Sequence, residues 1–437
     1  MDTIKDYYSL DQEIPDHLPL LDFLVSRYKK QQPLKNITAL FFQHQLSDQV
    51  PMVRALIDLG LSAENIYWVD IPYTSNKCTR DALKKLGDIN FFTCEDYDLL
   101  HPYAAYQRRR AIKIYKKMLS LNPERLLVLD DGAYFLEAAS YFENRPSRCV
   151  IVEQTSRGMI KLENNKAMQH LLKYFPIINV ARSTLKSKLE SPFIGKSVCA
   201  ALDYHLEPYL KKSKKTIRCL ILGYGNIGRA VAQHLKSIDK ILADNIFIHD
   251  TNHNNDDSDN NKIHDIDLYN KWDHSNQETF DLVIGCTGNT SFDFGDYVLL
   301  NNNAVLVSAS SGAIEFNRRN MIEQGLLSEL DDVWIGEIKN DRCLHSDISI
   351  HFPGRDVTLL NGGFPINFDG RMTISKSNQI QITSSLMLEA AVMSTTLDEG
   401  AHGIQELNTE TCIELAMMFY KDNEKQLKHL IKSIITD

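Results

Sequence analysis

The sequence predicts an α/β fold made of two Rossmann-like, doubly wound halves. Three observations predict it. Short apolar runs rich in β-branched and aromatic residues alternate with helical stretches along most of the chain, the pattern of parallel sheets covered on both faces. A glycine fingerprint stands mid-chain between a strand-like run and a helical one. The length, 437 residues, suits two or three domains at roughly 150 residues each.

The elements follow in order. Residues 37–42 (ITALFF) are the first strand, followed by His44-Gln45 and a helical pattern through Ala55, Leu56 and Leu59. The runs 65–70 (NIYWVD), 125–130 (RLLVLD), 148–153 (RCVIVE) and 177–180 (IINV) have the same character. Asp70, Asp130 and Glu153 close three of these strands. Ligands of such sheets sit beyond the carboxyl ends of the strands, so these acids are candidates for the site. Arg108-Arg109-Arg110 reads as an exposed helical face. Residues 193–212 read as an amphipathic connecting helix, and Lys211-Lys212-Ser213-Lys214-Lys215 as a solvated lead-in to the next strand. The second half, 216–365, has strand-like runs near 216–222, 245–249, 281–285, 304–308 and 333–335. The Asn/Asp tract 251–262 (TNHNNDDSDNNK) cannot bury a core and reads as a loop. Residues 377–437 read as helices.

Composition bounds the function. With 43% hydrophobic and 24% charged residues, the chain is neither disordered, collagen-like nor a small disulfide scaffold. Acids exceed bases by 57 to 48, a net charge of −9, which disfavours nucleic acid as a partner and leaves a small molecule. Eight dispersed cysteines without a CxxC pair argue against a zinc ribbon or a disulfide framework. They fit a reducing compartment and predict no metal site. The acidic, polar start MDTIKDYYSLDQEIPD does not read as a secretory signal. No apolar run of about 18 residues occurs, so no membrane span or membrane partner is expected. The expectation is a cytoplasmic protein.

The glycine fingerprint is CLILGYGNIG, residues 219–228. Gly223 allows a tight turn, and Gly225 lets the backbone approach a pyrophosphate at the positive end of a helix opened by Asn226 and Ile227. Gly228 permits close helix–strand packing. A second strand, NIFIH, ends at Asp250, about 20 residues further on, where an acid binds ribose hydroxyls. Its charge would repel a 2′-phosphate, so the cofactor expected is NAD rather than NADP.

Beside this fingerprint stand VLDDG (128–132), VEQTSRG (152–158), FPIINVARSTLKSK (175–188), CTG (286–288) and LLNGGFPINF (359–368), with QPLKNITALFFQHQ (32–45) a weaker match. Together they resemble the S-adenosyl-L-homocysteine hydrolase (adenosylhomocysteinase) family over most of the chain. The resemblance implies a substrate domain made of residues 1–192 and 366–437, with an NAD-binding domain, 193–365, inserted in it. It implies bound NAD that transiently oxidises a nucleoside hydroxyl, and a homodimer or homotetramer. It assigns catalytic roles to Asp131 and Lys186, and substrate contact to His44. Cofactor contact falls to Thr155, Ser156, Asp250, Thr287, Gly288 and Asn367. An ammonium beside the reacting hydroxyl can lose and regain a proton if desolvated. The structural alternatives are a surface lysine in a loop for Lys186 and a helix cap for Asp131.

The departures matter as much. Gln154 stands for a catalytic glutamate, Arg157 for a threonine, Glu190-Ser191 for an aspartate–asparagine pair, and Ser311 for a histidine. A further histidine beyond Asn367 is absent from NFDGRMTISKS, and KSIITD has no match to the family's C-terminal lysine and tyrosine. The expectation is therefore an NAD-dependent enzyme acting at a substrate hydroxyl, inefficient on S-adenosylhomocysteine itself. Lys186 would carry the proton, helped by Asp131 or Glu190, and His44, Gln154, Arg157 and Ser311 would bind substrate. The substrate would be nucleoside-like or another hydroxyl compound. Arg157 could pair with a carboxylate or phosphate of the substrate, or reach a phosphate of the cofactor. The alternatives are a true adenosylhomocysteinase using Glu190 or His351, and a non-catalytic NAD-binding regulator.

Overall fold

A strand buried on both faces must be apolar at successive positions, not alternate ones, and the runs in this chain meet that condition. The computed structural model describes residues 10, 12–94, 97, 101–212, 215–238, 240–250, 264–265, 279–327, 344–352, 354–420 and 424–436. Their strands are β1 Thr38–Gln43, β2 Ile66–Asp70, β3 Asn90–Phe92, β4 Leu126–Asp130, β5 Cys149–Glu153, β6 Pro176–Asn179 and β7 Cys219–Leu222. Then come β8 Ile246–His249, β9 His264–Asp265, β10 Phe280–Gly285, β11 Leu300–Ser308, β12 Ile348–Phe352, β13 Arg355–Leu359 and β14 Gly403–Glu406.

The protein is α/β, with two largely parallel, seven-stranded Rossmann-like sheets, as the sequence predicts. The first has the order β14-β6-β5-β4-β1-β2-β3 and is parallel throughout. The second has the order β12-β13-β11-β10-β7-β8-β9, and its one antiparallel pair is β12 with β13. The chain forms two units. A three-segment unit comprises Leu10–Tyr97, Ala104–Phe193 and Arg371–Asp437; a central unit consists chiefly of Ile194–Gly370. The second change of unit falls at Gly370, whereas the sequence reading put it at 365. The reason is that Ile366 N–H donates to the Ser308 carbonyl at 2.9 Å and Pro365 bridges to Ser308. Asn367 thus belongs to the central unit.

Each sheet separates two apolar layers. In β1, Ala39 and Phe41 face one core and Leu40 and Phe42 the other. Phe41 stacks on Trp68 at 4.8 Å, in a core completed by Ile382, Leu386 and Met387 of helix Ser377–Met393. In the central unit Cys219 and Ile221 face one layer, and Leu220 and Leu222 the other. Each such aromatic or aliphatic side chain contributes roughly 1.5–3 kcal/mol by burial.

Several expectations change. The tail is not all helical, because Gly403–Glu406 pairs in parallel with Pro176–Asn179 as β14. The connecting helix begins at Thr184 rather than at 193 and runs to Lys212, so Lys186 lies in its first turn and not in a loop. The triple arginine is not a uniformly exposed face. Arg108 pairs with Glu137 at 2.6 Å and Arg110 with Asp70 at 2.5 Å, and Arg109 remains exposed. The tract 251–262 and the expected strand 333–335 lie outside the described residues. Among those described, seven cysteines are free, and no helix is long and apolar enough to cross a membrane.

Candidate functional site

The carboxyl edge of the first sheet concentrates buried polar groups. Asp130 and Glu153 end neighbouring strands in register. Asp130 accepts from Tyr134 N–H at 3.0 Å and Phe135 N–H at 2.8 Å, capping helix Tyr134–Ala139. Glu153 accepts from the Gly132 and Ala133 amides at 3.2 and 2.8 Å. It also takes the Thr155 amide and hydroxyl at 2.8 and 2.6 Å. A Cβ on Gly158 would lie 2.3 Å from the Glu153 carboxyl carbon, so only glycine fits there. Burial pushes both acids up, Asp130 to about 7 and Glu153 to about 8. Asp70 is held by Arg110 and by the Ser75 hydroxyl at 2.8 Å. The three strand-end acids are thus framework. The helix cap that was the alternative for Asp131 is made by its neighbour Asp130.

That division leaves Asp131 for other work. Its Oδ2 accepts a hydrogen bond from Gln154 Nε2 and lies 3.4 Å from His44 Nε2. His44 Nδ1 is 2.7 Å from the Thr74 hydroxyl. Burial, ahead of the nearby charges, holds the His44 imidazole below its usual range, so it is neutral at pH 7. One proton arrangement then satisfies every partner: Thr74 donates to Nδ1, and Nε2–H donates to Asp131. Asp131 Oδ1 takes no hydrogen bond from any described residue, although the side chain is only 7% exposed. Gln154 is oriented by Gln43, whose Nε2 donates to Gln154 Oε1 at 3.1 Å.

Lys186 completes the cluster. Its Nζ donates to the Gln154 carbonyl at 2.5 Å and lies 3.8 Å from Glu190 Oε2, one helical turn along. Burial pushes the Glu190 carboxyl up, with Lys186 opposing and Asp48 and Asp131 adding to it. Asp48 is likewise pushed up by burial, and accepts from Ser384 Oγ at 3.0 Å and Gln49 Nε2 at 2.9 Å. Thr155 caps helix Ser156–Asn164 through Gly158 N–H at 3.0 Å, with Ser156 exposed and Arg157 half-buried in its first turn. The structure therefore gathers His44, Asp131, Gln154, Lys186 and Glu190 in one unit. Ser311 lies in the other.

In the central unit the glycine loop has the geometry the fingerprint demands. Gly223 has φ +91°, and a Cβ there would be 2.9 Å from the Thr287 amide nitrogen. A Cβ on Gly228 would meet the Gly223 carbonyl oxygen at 2.0 Å, while one on Gly225 meets nothing within 4 Å. Helix Asn226–Leu235 begins at Gly225 with no side-chain cap, so its first N–H groups face open space suited to an anion. Asp250 accepts from Tyr224 N–H at 2.6 Å, which sets its carboxylate beside the loop. Asn367 is 2% exposed, and its Nδ2 is without a partner among the described residues. A buried amide donor of this kind suits a carboxamide oxygen. These residues fit a dinucleotide.

Sequence reasoning missed Glu315. Its carboxylate, buried in the central unit, accepts from Thr287 Oγ1 at 2.9 Å, Gly288 N–H at 2.6 Å, Ser291 Oγ and Ser310 Oγ. It ties the Thr287-Gly288 turn to the loop that carries Ser311. Its one signal was an acid among the small residues of SASSGAIEF. Gln43, Thr74, Asp48, Thr383 and Ser384 were also missed, and only Gln43 and Asp48 lie near a residue that was singled out.

No family model matches the chain. Two uncharacterized proteins of Mycobacterium tuberculosis, from strains CDC 1551 / Oshkosh and ATCC 25618 / H37Rv, are 28% identical to it over 357 residues. The match covers 80% of this chain, and the chain spans 62% of the length of those relatives. Among solved structures, the dipicolinate synthase of Bacillus halodurans aligns with a TM-score of 0.37 at 9% identity, covering 67% of this chain and 89% of that one. A Granulicella formate dehydrogenase aligns with a TM-score of 0.29 at 10% identity, covering 58% and 70%.

Proposed function

We propose that the protein is an NAD-dependent enzyme that moves a hydride at a hydroxyl-bearing small molecule. In this reading its chemistry is adenosylhomocysteinase-like, but it is not an efficient hydrolase of S-adenosylhomocysteine. One observation carries the reading: the tight glycine turn opens onto an uncapped helix start, with clear space only at Gly225. NAD, when bound, supplies the hydride acceptor. The first-turn amides after Gly225 would hold its pyrophosphate, Asp250 a ribose hydroxyl, and Asn367 Nδ2 the carboxamide oxygen.

In the three-segment unit, Lys186 Nζ is the proton carrier for the hydroxyl oxygen, taking the proton as an amine and returning it as an ammonium. Asp131 Oδ1 accepts a hydrogen bond from a neighbouring hydroxyl, while Gln154 and His44 fix its carboxylate from the other oxygen. Gln154 orients and does not act as a base, since an amide cannot take the proton.

The test begins with the purified protein, denatured so that any released nucleotide can be identified. NAD titration by calorimetry follows, on the parent and on Asp250→Ala. Weaker NAD binding and lost discrimination against NADP are expected for the variant. Absence of bound nucleotide together with failure to bind added NAD would leave a non-catalytic protein without this cofactor and end the reading. A second reading, hydrolysis of S-adenosylhomocysteine itself, is favoured by the grouping of Asp131, His44 and Lys186. It predicts thiol release from that substrate, where the first predicts none.

A further inference from the structure

Helix Ser377–Met393 is buried along most of its length yet carries Gln379, Gln381, Ser384, Ser385 and Glu389 among its buried residues. Buried polar groups must find partners, and a helical serine or threonine usually bonds back to its own helix. Ser385 does so, donating to the Gln381 carbonyl at 2.6 Å. Gln381 receives Leu20 N–H at 3.1 Å, and Glu389 receives the Tyr28 hydroxyl at 3.1 Å, both framework contacts. Thr383 and Ser384 are different. Thr383 Oγ1 donates to Glu190 Oε2, and Ser384 Oγ donates to Asp48 Oδ2 at 3.0 Å. These partners lie 193 and 336 positions away in sequence.

We infer that Thr383 is a positioning residue of the candidate site, holding the Glu190 carboxylate toward the Lys186 ammonium, with Ser384 holding Asp48 in the same way. The inference rests on the reading of Lys186 as proton carrier. Glu190 is buried, so its charge depends on its few donors: the Thr383 hydroxyl and, 3.8 Å off, Lys186. The other charged or titratable groups acting on this pair are Asp48 and Asp131, which oppose the Glu190 charge, and His44, which also senses Lys186. Without the Thr383 donor, Glu190 takes up a proton or turns away. Lys186 then loses its one carboxylate within 4 Å among the described residues, and its amine form gains at a given pH. Gating the amine form is what a residue acting through another would do to a proton carrier.

The experiment needs neither NAD nor substrate. The intact protein is labelled briefly with acetic anhydride at pH 7.5, and acetylation of Lys186 is read by mass spectrometry against the exposed lysines of the same sample. Thr383→Val keeps the shape and deletes the donor, so relative labelling of Lys186 should rise about three- to tenfold. Thr383→Ser restores the hydroxyl and should stay at the parental value, which a merely structural role for the methyl would not give. Should the valine variant not fold, Glu190→Gln must produce the same rise. Unchanged Lys186 labelling in Thr383→Val or Glu190→Gln, or an equal rise in Thr383→Ser, overturns the inference. Loss of NAD binding would overturn the functional reading and leave this result standing.

Discussion

Alanine at Gly225 separates holding a dinucleotide from holding the fold. The added Cβ meets nothing within 4 Å, and the backbone there, at φ −72° and ψ −164°, is open to any L-residue. The remaining cost is that of alanine at a helix N-cap, about 0.5–1 kcal/mol, or about 1–4 °C in melting temperature for a domain of this size. Gly228→Ala is the opposite case. Its Cβ would lie 2.0 Å from a carbonyl oxygen, so the helix must leave the strand at a cost of about 1–3 kcal/mol or more. For bound NAD the order reverses in interest. A methyl at Gly225 pushes a pyrophosphate off the helix amides and forfeits charge-assisted hydrogen bonds worth about 1.5–3 kcal/mol, roughly 10- to 150-fold in Kd. Thermal melts of the nucleotide-free proteins and calorimetric NAD titration measure both quantities. Gly225→Ala should melt within a few degrees of the parent yet bind NAD at least about tenfold more weakly. Parental NAD affinity in that variant would show that the dinucleotide does not sit on this loop.

Lys186→Met keeps most of the stem and deletes the ammonium. It should retain folding and NAD binding but lose about 10²–10⁴ in NAD reduction by a turnover substrate found by screening hydroxyl compounds; normal turnover refutes the assignment. Asp130 and Glu153 have folded-state values raised above their unfolded ones. The stability they contribute is therefore complete below about pH 4 and is lost as pH rises toward about 8. Glu153→Gln should flatten the fall in urea-denaturation stability between pH 5 and pH 8, removing up to about 1.4 kcal/mol per pH unit where one proton is at stake; an unchanged slope sinks this. Glu315→Ala strands the donors of Thr287, Gly288, Ser291 and Ser310. It should destabilise the protein by about 3 kcal/mol or more in the same assay, and a melt within 1 °C of the parent, on the order of 0.3 kcal/mol, would contradict it.

The sequence made legible what steric necessity writes into single residues. Central strands such as LLVLD and CVIVE are buried on both faces and so are apolar throughout. Gly223 and Gly228 are fixed by backbone approach. Edge strands escaped, because Asn90–Phe92 is half-buried throughout and Gly403–Glu406 alternates half-buried with exposed residues. Neither pattern stands out from a loop or helix end. Within the site, Asp130 and Asp131 are chemically identical neighbours, and only the turn after them, with Ala133 at φ +55°, decides which one caps the helix. Thr383 and Ser384 were invisible for another reason: a hydroxyl on a helix is ordinarily self-satisfied, and nothing local records that its partner is 193 positions away.

The parallel pairing of Gly403–Glu406 with Pro176–Asn179 has a consequence for biosynthesis. A ribosome delivers the whole of Ile194–Gly370 before the partner strand of β6 exists, so the central unit has everything it needs to fold while its host waits. Until the last segment emerges, β6 presents an unpaired edge, and the layer containing Phe41 and Trp68 lacks Ile382, Leu386 and Met387. Such long-range closure is slow and leaves sticky surface exposed in the interim. A chain stopped at Gly370 would therefore carry one finished unit and one chaperone client.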